Sequence, residues 1–138
     1  MVNEAAAEEV GRLLAERGAT LACGGRGEVM AAAHRGAKDA GGTTIAILPG
    51  ESRFDANPWA DHVVVTGIGH ARNLAVAASG DGVIAVGGAY GTLTEIGFAS
   101  ILGRPVVVLE PGPDVEGVHR VATAREAVDY VLSRIDRS

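Results

Sequence analysis

Two side chains stand out as able to do chemistry together, Arg72 and Glu95. Each lies a few residues beyond a glycine-rich turn. Arg72 follows Thr66-Gly67-Ile68-Gly69-His70-Ala71 and precedes Asn73, and Glu95 follows Val86-Gly87-Gly88-Ala89-Tyr90-Gly91-Thr92-Leu93-Thr94. A third turn of the same kind is Cys23-Gly24-Gly25-Arg26-Gly27-Glu28-Val29-Met30. Glycine lets the backbone approach a ligand and adopt positive φ, and a helix that starts there offers unpaired N–H groups and a positive dipole end. The chemistry implied is the seating of a phosphate, with Gly24, Gly25, Arg26, Gly27, Asn73, Gly87, Gly88, Tyr90, Gly91 and Thr92 as the binding residues. Arg72 would sit at a helix start, where a cation is unfavourable unless it holds an anion or a salt bridge.

Each feature has a plainer explanation. Gly67-Ile68-Gly69 begins a dinucleotide fingerprint, but Arg72 occupies the third glycine position, so a dinucleotide is not expected. Thr92-Leu93-Thr94-Glu95 matches a capping box, in which Glu95 would only satisfy the backbone at the helix start. His34, His62, His70 and His119 show no ligand spacing with acids or with Cys23, so no metal site is expected. Cys23 closes a strand and reads as a small core residue rather than a nucleophile.

The elements that must position these residues alternate along the chain. Five short apolar runs, Thr20–Cys23, Thr44–Leu48, His62–Thr66, Val83–Val86 and Pro105–Leu109, read as strands. Several are continuous and β-branched, including Val63-Val64-Val65, which predicts strands covered on both faces of a parallel sheet. Helices are expected from a cap at Asn3 to about Arg17, over Val29–Ala40, Ala71–Ser79 and Thr92–Leu102, and from Thr123 to about Ile135. The Thr123-Ala124-Arg125-Glu126 start has the capping-box pattern. This order predicts a Rossmann-like α/β domain, a doubly wound, mostly parallel sheet with helices on both faces, as one unit over residues 1–138. Such domains usually open on a central strand, whereas this sequence opens on a helix; a missing first strand, with the natural beginning absent, is the expectation.

Composition narrows the function. The chain has 138 residues and a net charge of -5. Its 20 glycines are about twice the usual ~7% share, and many fall in the turns above. No apolar stretch approaches the ~20 residues of a membrane span, and no secretory signal opens the sequence. The lone Cys23 argues for a reducing cytoplasm rather than a disulfide framework. An acidic chain without a basic cluster is not expected to bind nucleic acid.

At the three turns the sequence resembles the LONELY GUY phosphoribohydrolases and their relatives, often labelled "lysine decarboxylase-like". It is most similar to the branch that holds molybdenum-cofactor carrier proteins. The resemblance runs from Glu4 to about Leu109 and is most specific over Asp81–Ile96, with a D-x-V-I-A-x-G-G-x-Y-G-T-x-x-E-I pattern. It implies a Rossmann-like fold and a dimer. By this resemblance the phosphate-binding motif falls on Gly87, Gly88, Ala89, Tyr90, Gly91 and Thr92, with the essential glutamate at Glu95 and the catalytic arginine at Arg72. Asn73 replaces the lysine that follows that arginine, and the Ala71-Arg72-Asn73 form is that of the carrier-like branch. Ala89 and Glu28 also depart, each standing where a glycine is usual. A pyridoxal-phosphate decarboxylase would need a Schiff-base lysine, and the sole lysine, Lys38, lies on the polar side of a helix.

Three functions follow. The first is a non-catalytic or weakly catalytic protein that binds a nucleotide-like or molybdopterin-type phosphorylated ligand and requires no cofactor. The alternative is a phosphoribohydrolase that cleaves nucleoside 5′-monophosphates to base and ribose 5-phosphate, using Arg72 and Glu95. A third is a structural dimer with a vestigial site. The nearly all-apolar helix Thr92–Leu102 predicts a homodimer or higher homo-oligomer, because its far side should be covered.

Overall fold

A computed structural model of the chain describes residues 2–24, 27–87 and 90–135. Thus Gly25, Arg26, Gly88 and Ala89 lie outside the described residues. Five helices, α1 (Val2–Glu16), α2 (Glu28–Asp39), α3 (Arg72–Ser79), α4 (Tyr90–Ile101) and α5 (Ala124–Arg134), alternate with six strands. The strands are β1 (Leu21–Cys23), β2 (Thr44–Leu48), β3 (His62–Val65), β4 (Val83–Val86), β5 (Val106–Leu109) and β6 (His119–Val121). Every pairing is parallel. Rather than one sheet there are two of three strands, β1-β2-β3 and β4-β5-β6.

The core lies on both faces of the second sheet. Val107 and Leu109, with Ile84 and Val86, meet Val10, Leu13 and Leu14 of α1 and Val128, Val131 and Leu132 of α5. The intervening residues Ala85, Val106 and Val108 turn the other way, onto Ile96 of α4. Side chains alternate across a strand, so a continuous apolar run is what a doubly covered strand needs.

Helices α1 and α2 approach backbone to backbone. A Cβ at Gly11 would collide with the Ala33 carbonyl, and one at Gly36 with the Glu8 carbonyl. These glycines serve packing rather than a turn. The α5 start behaves as its sequence predicts: Thr123 Oγ1 accepts from the Glu126 N–H at 3.2 Å and donates to Glu126 Oε1 at 2.9 Å.

Four expectations need correction. Asn3 is not a cap, because α1 already begins at Val2. The strand His119–Val121 was not foreseen; its short His-Arg-Val run carries no apolar signal of its own. The valines of β3 are not covered on both faces. Val64 is 48% and Val65 40% exposed, because β3 is an edge strand that pairs only with β2. Finally, α4 begins at Tyr90, two residues ahead of the expected start.

Candidate functional site

Arg72 is the first residue of α3 and follows a single 3-10 turn, Gly69–Ala71. Its guanidinium reaches across to the carboxyl end of β1. There, a Cβ on Gly24 would run into the Arg72 guanidinium and into Met30 Sδ, so the absence of a side chain at position 24 is what lets Arg72 lie there. The same arginine lines an open cleft of about 610 Å³ with Gly27, Pro49, Gly50, Gly69 and His70. That volume suits a small-molecule site.

Glu95 comes to this place from α4. It is half-buried, and burial pushes its carboxyl above the ordinary 4.5, while the Arg72 charge pulls it down. Two opposed influences of this kind, desolvation and a counter-charge, mark groups held for a purpose other than solvation. Since α4 starts at Tyr90, Thr92 lies inside the helix and the capping-box role for Glu95 falls away. The hydroxyl used near the helix start is that of Thr94, which donates to the Gly91 carbonyl at 2.7 Å.

Asn73 joins the two helices. Its side chain is buried, 6% exposed, and Nδ2 donates to Thr94 Oγ1 at 3.0 Å. The relay Asn73–Thr94–Gly91 ties the first turn of α4 to α3, and so fixes Glu95 relative to Arg72. Tyr90 projects into solvent, 87% exposed, beside this turn. Gly87 is buried at the end of β4 with φ +76, facing the Asn3 side chain. Gly27 caps α2, and Glu28 stands exposed in the first turn of that helix, where a carboxylate complements the dipole.

The structure therefore brings Gly24, Gly27, Arg72, Asn73, Gly91 and Glu95 to one end of the fold. Sequence reasoning missed Pro49 and Gly50, although a Leu-Pro-Gly break at a strand's carboxyl end is a readable signal. It also missed a part-buried polar cluster that starts one residue before Gly24. Cys23 Sγ lies 3.0 Å from His34 Nε2, and His34 Nδ1 lies 2.9 Å from Asn57 Nδ2. Asn57 Oδ1 accepts from the Trp59 N–H, which turns the amide so that Nδ2 donates to His34. His34 then carries its proton on Nε2, toward Cys23. Burial lowers the His34 pKa, chiefly by desolvation, and keeps the ring neutral. Eleven residues separate Cys23 from His34 in sequence, so no short spacing announces this contact, which the β1–α2 connection makes.

Among the described residues no group of three or more His, Cys, Asp or Glu side chains is arranged to hold a metal ion. Lys38 is committed elsewhere, to the Gly42 carbonyl and Asp61, each at 3.0 Å. No described helix is long and apolar enough to cross a membrane.

An uncharacterized protein of Archaeoglobus fulgidus is 44% identical over 92% of this chain and 83% of its own. The molybdenum cofactor binding protein of Rippkaea orientalis superposes with a TM-score of 0.90 at 33% identity, covering 97% of this chain and 88% of that one. The molybdenum cofactor carrier protein of Chlamydomonas reinhardtii gives a TM-score of 0.85 at 36% identity, covering 95% and 86%. The family model that matches residues 2–134 is that of the SLOG cluster4 family, within the Rossmann-like superfamily of the resemblance noted above, and this chain belongs to it.

Proposed function

We propose that this protein binds a molybdopterin-type or nucleotide-like phosphorylated ligand in the Arg72 cleft and holds it without consuming it. One observation carries the reading: a half-buried arginine at a helix start, laid against the Gly24 backbone and opening on a cleft where strand ends converge. An arginine guanidinium there offers a phosphate a bidentate, charge-assisted partner, and the starts of α2, α3 and α4 add backbone N–H groups. Gly25, Arg26 and Gly88 complete the phosphate seat in this reading, with Gly87, Gly91 and Thr92 around it. The solved relatives described as molybdenum-cofactor binding or carrier proteins support the pterin ligand over a nucleotide.

A second reading has its own support. Glu95 is a carboxyl raised by burial beside a cation, a condition suited to general acid–base work. In a phosphoribohydrolase, Glu95 would stabilise the oxocarbenium-like transition state or orient water, and Arg72 would anchor the 5′-phosphate.

One experiment separates the two. The chain is melted with and without nucleoside 5′-monophosphates, and with molybdenum cofactor released from a molybdoenzyme; each ligand is then recovered. A raised Tm with intact ligand supports holding. Ribose 5-phosphate that disappears in Glu95→Ala supports hydrolysis. No shift and no product removes both.

The protein acts as a homodimer or higher homo-oligomer in this reading. Ile101 is 81% exposed, and Leu93 on α4, Leu74 on α3 and Leu102 just beyond α4 are also open. Large apolar side chains left open on neighbouring helices support a subunit contact there. Sedimentation that finds only monomer would remove this part.

A further inference from the structure

The Arg72 cleft has contacts for a phosphate but none, within its walls, for a flat ring. Among the described residues its lining is three glycines, Pro49, His70 and Arg72. The two long side chains there carry nitrogen donors, which suit an anion, and the lining holds no broad apolar side chain. A ligand held at Arg72 by its phosphate must therefore lay any ring it carries against the rim.

One wall of the cleft is braced up to that rim. Beyond the last paired residues of β2 and β3, Leu48 and Val65, the two connections stay joined. The Pro49 carbonyl accepts from the Gly69 N–H and the Gly50 carbonyl from the Gly67 N–H, each at 2.9 Å. Next along the chain comes a 3-10 turn, Arg53–Asp55, in which Ser52 Oγ accepts from the Phe54 N–H at 3.3 Å. The turn sits back against the wall, because a Cβ on Gly50 would lie 3.7 Å from Asp55 Oδ2. On it stands Phe54, 90% exposed, the barest large apolar side chain among the described residues.

Other rings of the chain are already engaged. Trp59 carries the Arg35 guanidinium, and Tyr130 meets both the His119 ring and the Arg134 guanidinium. Tyr90 is nearly as bare as Phe54, but it starts α4, which lends the cleft no described lining residue. A phenyl ring held bare on a braced turn beside an anion site is a stacking surface. Base-sized rings lie on aromatic side chains with little regard to their substituents, and offset stacking adds energy beyond the area covered.

We propose that Phe54 is the ring platform of this site. A ligand whose phosphate is held by Arg72 lays the flat face of a fused, nitrogen-containing ring, a pterin or a purine, on Phe54. This rests on the reading of Arg72 as the phosphate holder and adds the residue that selects a ring. A ringless phosphate fills only the Arg72 end, so Phe54 sets which phosphorylated molecules are kept.

Three probes separate ring from phosphate: GMP, a 6-alkylpterin carrying a terminal phosphate, and ribose 5-phosphate. Calorimetric titration is run on the native chain, Phe54→Ala, Phe54→Trp and Arg72→Ala. Phe54→Ala should weaken GMP or the pterin phosphate about 5- to 30-fold, and the ring ligand that loses more identifies the source. Affinity for ribose 5-phosphate and the Tm should not move, and Phe54→Trp should bind at least as tightly as the native chain. In proton NMR the Phe54 ring signals, identified by their loss in Phe54→Ala, should shift with the ring ligand and stay in place with ribose 5-phosphate. The proposal is overturned if Phe54→Ala binds both ring ligands as tightly as the native chain, or weakens ribose 5-phosphate by the same factor. It is equally overturned if the sole change in Phe54→Ala is in sedimentation, which would assign the ring to a subunit contact. The phosphate reading fails in a different way: ribose 5-phosphate then does not bind the native chain, and Arg72→Ala leaves the affinity for GMP unchanged.

Discussion

Two polar clusters sit one residue apart at the carboxyl end of β1, and burial acts on them in opposite ways. Cys23–His34–Asn57 turns inward. His34 is fully buried, 0% exposed, and both ring nitrogens meet protein partners. Arg72–Glu95 turns outward onto a cleft, with Glu95 half-buried against the grain of its charge. Desolvation drives both titratable groups toward the neutral form. For a histidine that form is the ordinary one at pH 7, so its burial carries no charging cost. For a carboxylate it is not, so the fold tolerates a cost, and tolerated costs gather where ligands are handled. One cluster therefore reads as a stabilising contact, and the other is the one proposed above to handle a ligand.

The largest way to break this division is His34→Ala. It leaves a cavity and strands the Asn57 amide, and should cost about 3 kcal/mol of stability. Chemical denaturation measures that loss, while ligand-induced Tm shifts persist. Arg72→Ala should do the reverse: stability falls by less than in His34→Ala, because only part of the relief of the Glu95 carboxylate is lost, and affinity for a phosphorylated ligand falls about 10- to 100-fold, the worth of one charge-assisted contact. Calorimetric titration reads it. If the first variant loses binding and the second loses more stability than the first, the division is wrong.

A third effect is smaller and comes from pH. The folded His34 binds its proton less readily than the unfolded one, whose pKa is near 6.5. Above 6.5 both states are neutral there and the stabilisation is fully present. As pH falls below 6.5 the unfolded state takes up the proton first, and stability declines toward the folded pKa. The slope contributed is at most about 1.4 kcal/mol per pH unit. Urea midpoints between pH 7 and pH 5 should show it, and His34→Gln should flatten it.

How far the clusters could be read from residues alone differs in the same way. The turns, Arg72 and Glu95 were legible, because glycine runs after apolar strands write a strand-to-helix turn into local sequence. The parallel α/β fold was legible too, from runs such as Val106-Val107-Val108-Leu109. The Cys23–His34–Asn57 contact was not, since it is made by tertiary packing between residues with no shared spacing. Nor could periodicity separate the core valines of β5 from the exposed valines of β3. Both are β-branched runs, and only the strand order makes one central and the other an edge. Glu95 was half legible: its spacing from Thr92 fitted a cap equally well, and the choice depended on where α4 starts, a boundary that hydrophobic pattern fixes poorly.

The finest probe of the outward cluster is the coupling between its two members. Glu95 has a folded pKa above 4.5, so the folded state binds its proton more tightly than the unfolded one. The benefit of that proton is present below pH 4.5 and is lost as pH rises through the folded pKa. At pH 7 the carboxylate is a burden, and Glu95→Gln should raise Tm by only a few degrees. Arg72 lowers that burden, because its charge pulls the Glu95 pKa down. The stabilisation by Glu95→Gln should therefore be larger in an Arg72→Ala background than in the native chain, and should shrink in both as pH falls toward 4.5. A double-mutant cycle at pH 7 measures the difference. Equal gains in the two backgrounds would mean that Arg72 and Glu95 do not act as a pair, and a ligand phosphate held by Arg72 would then leave the ionisation of Glu95 unchanged.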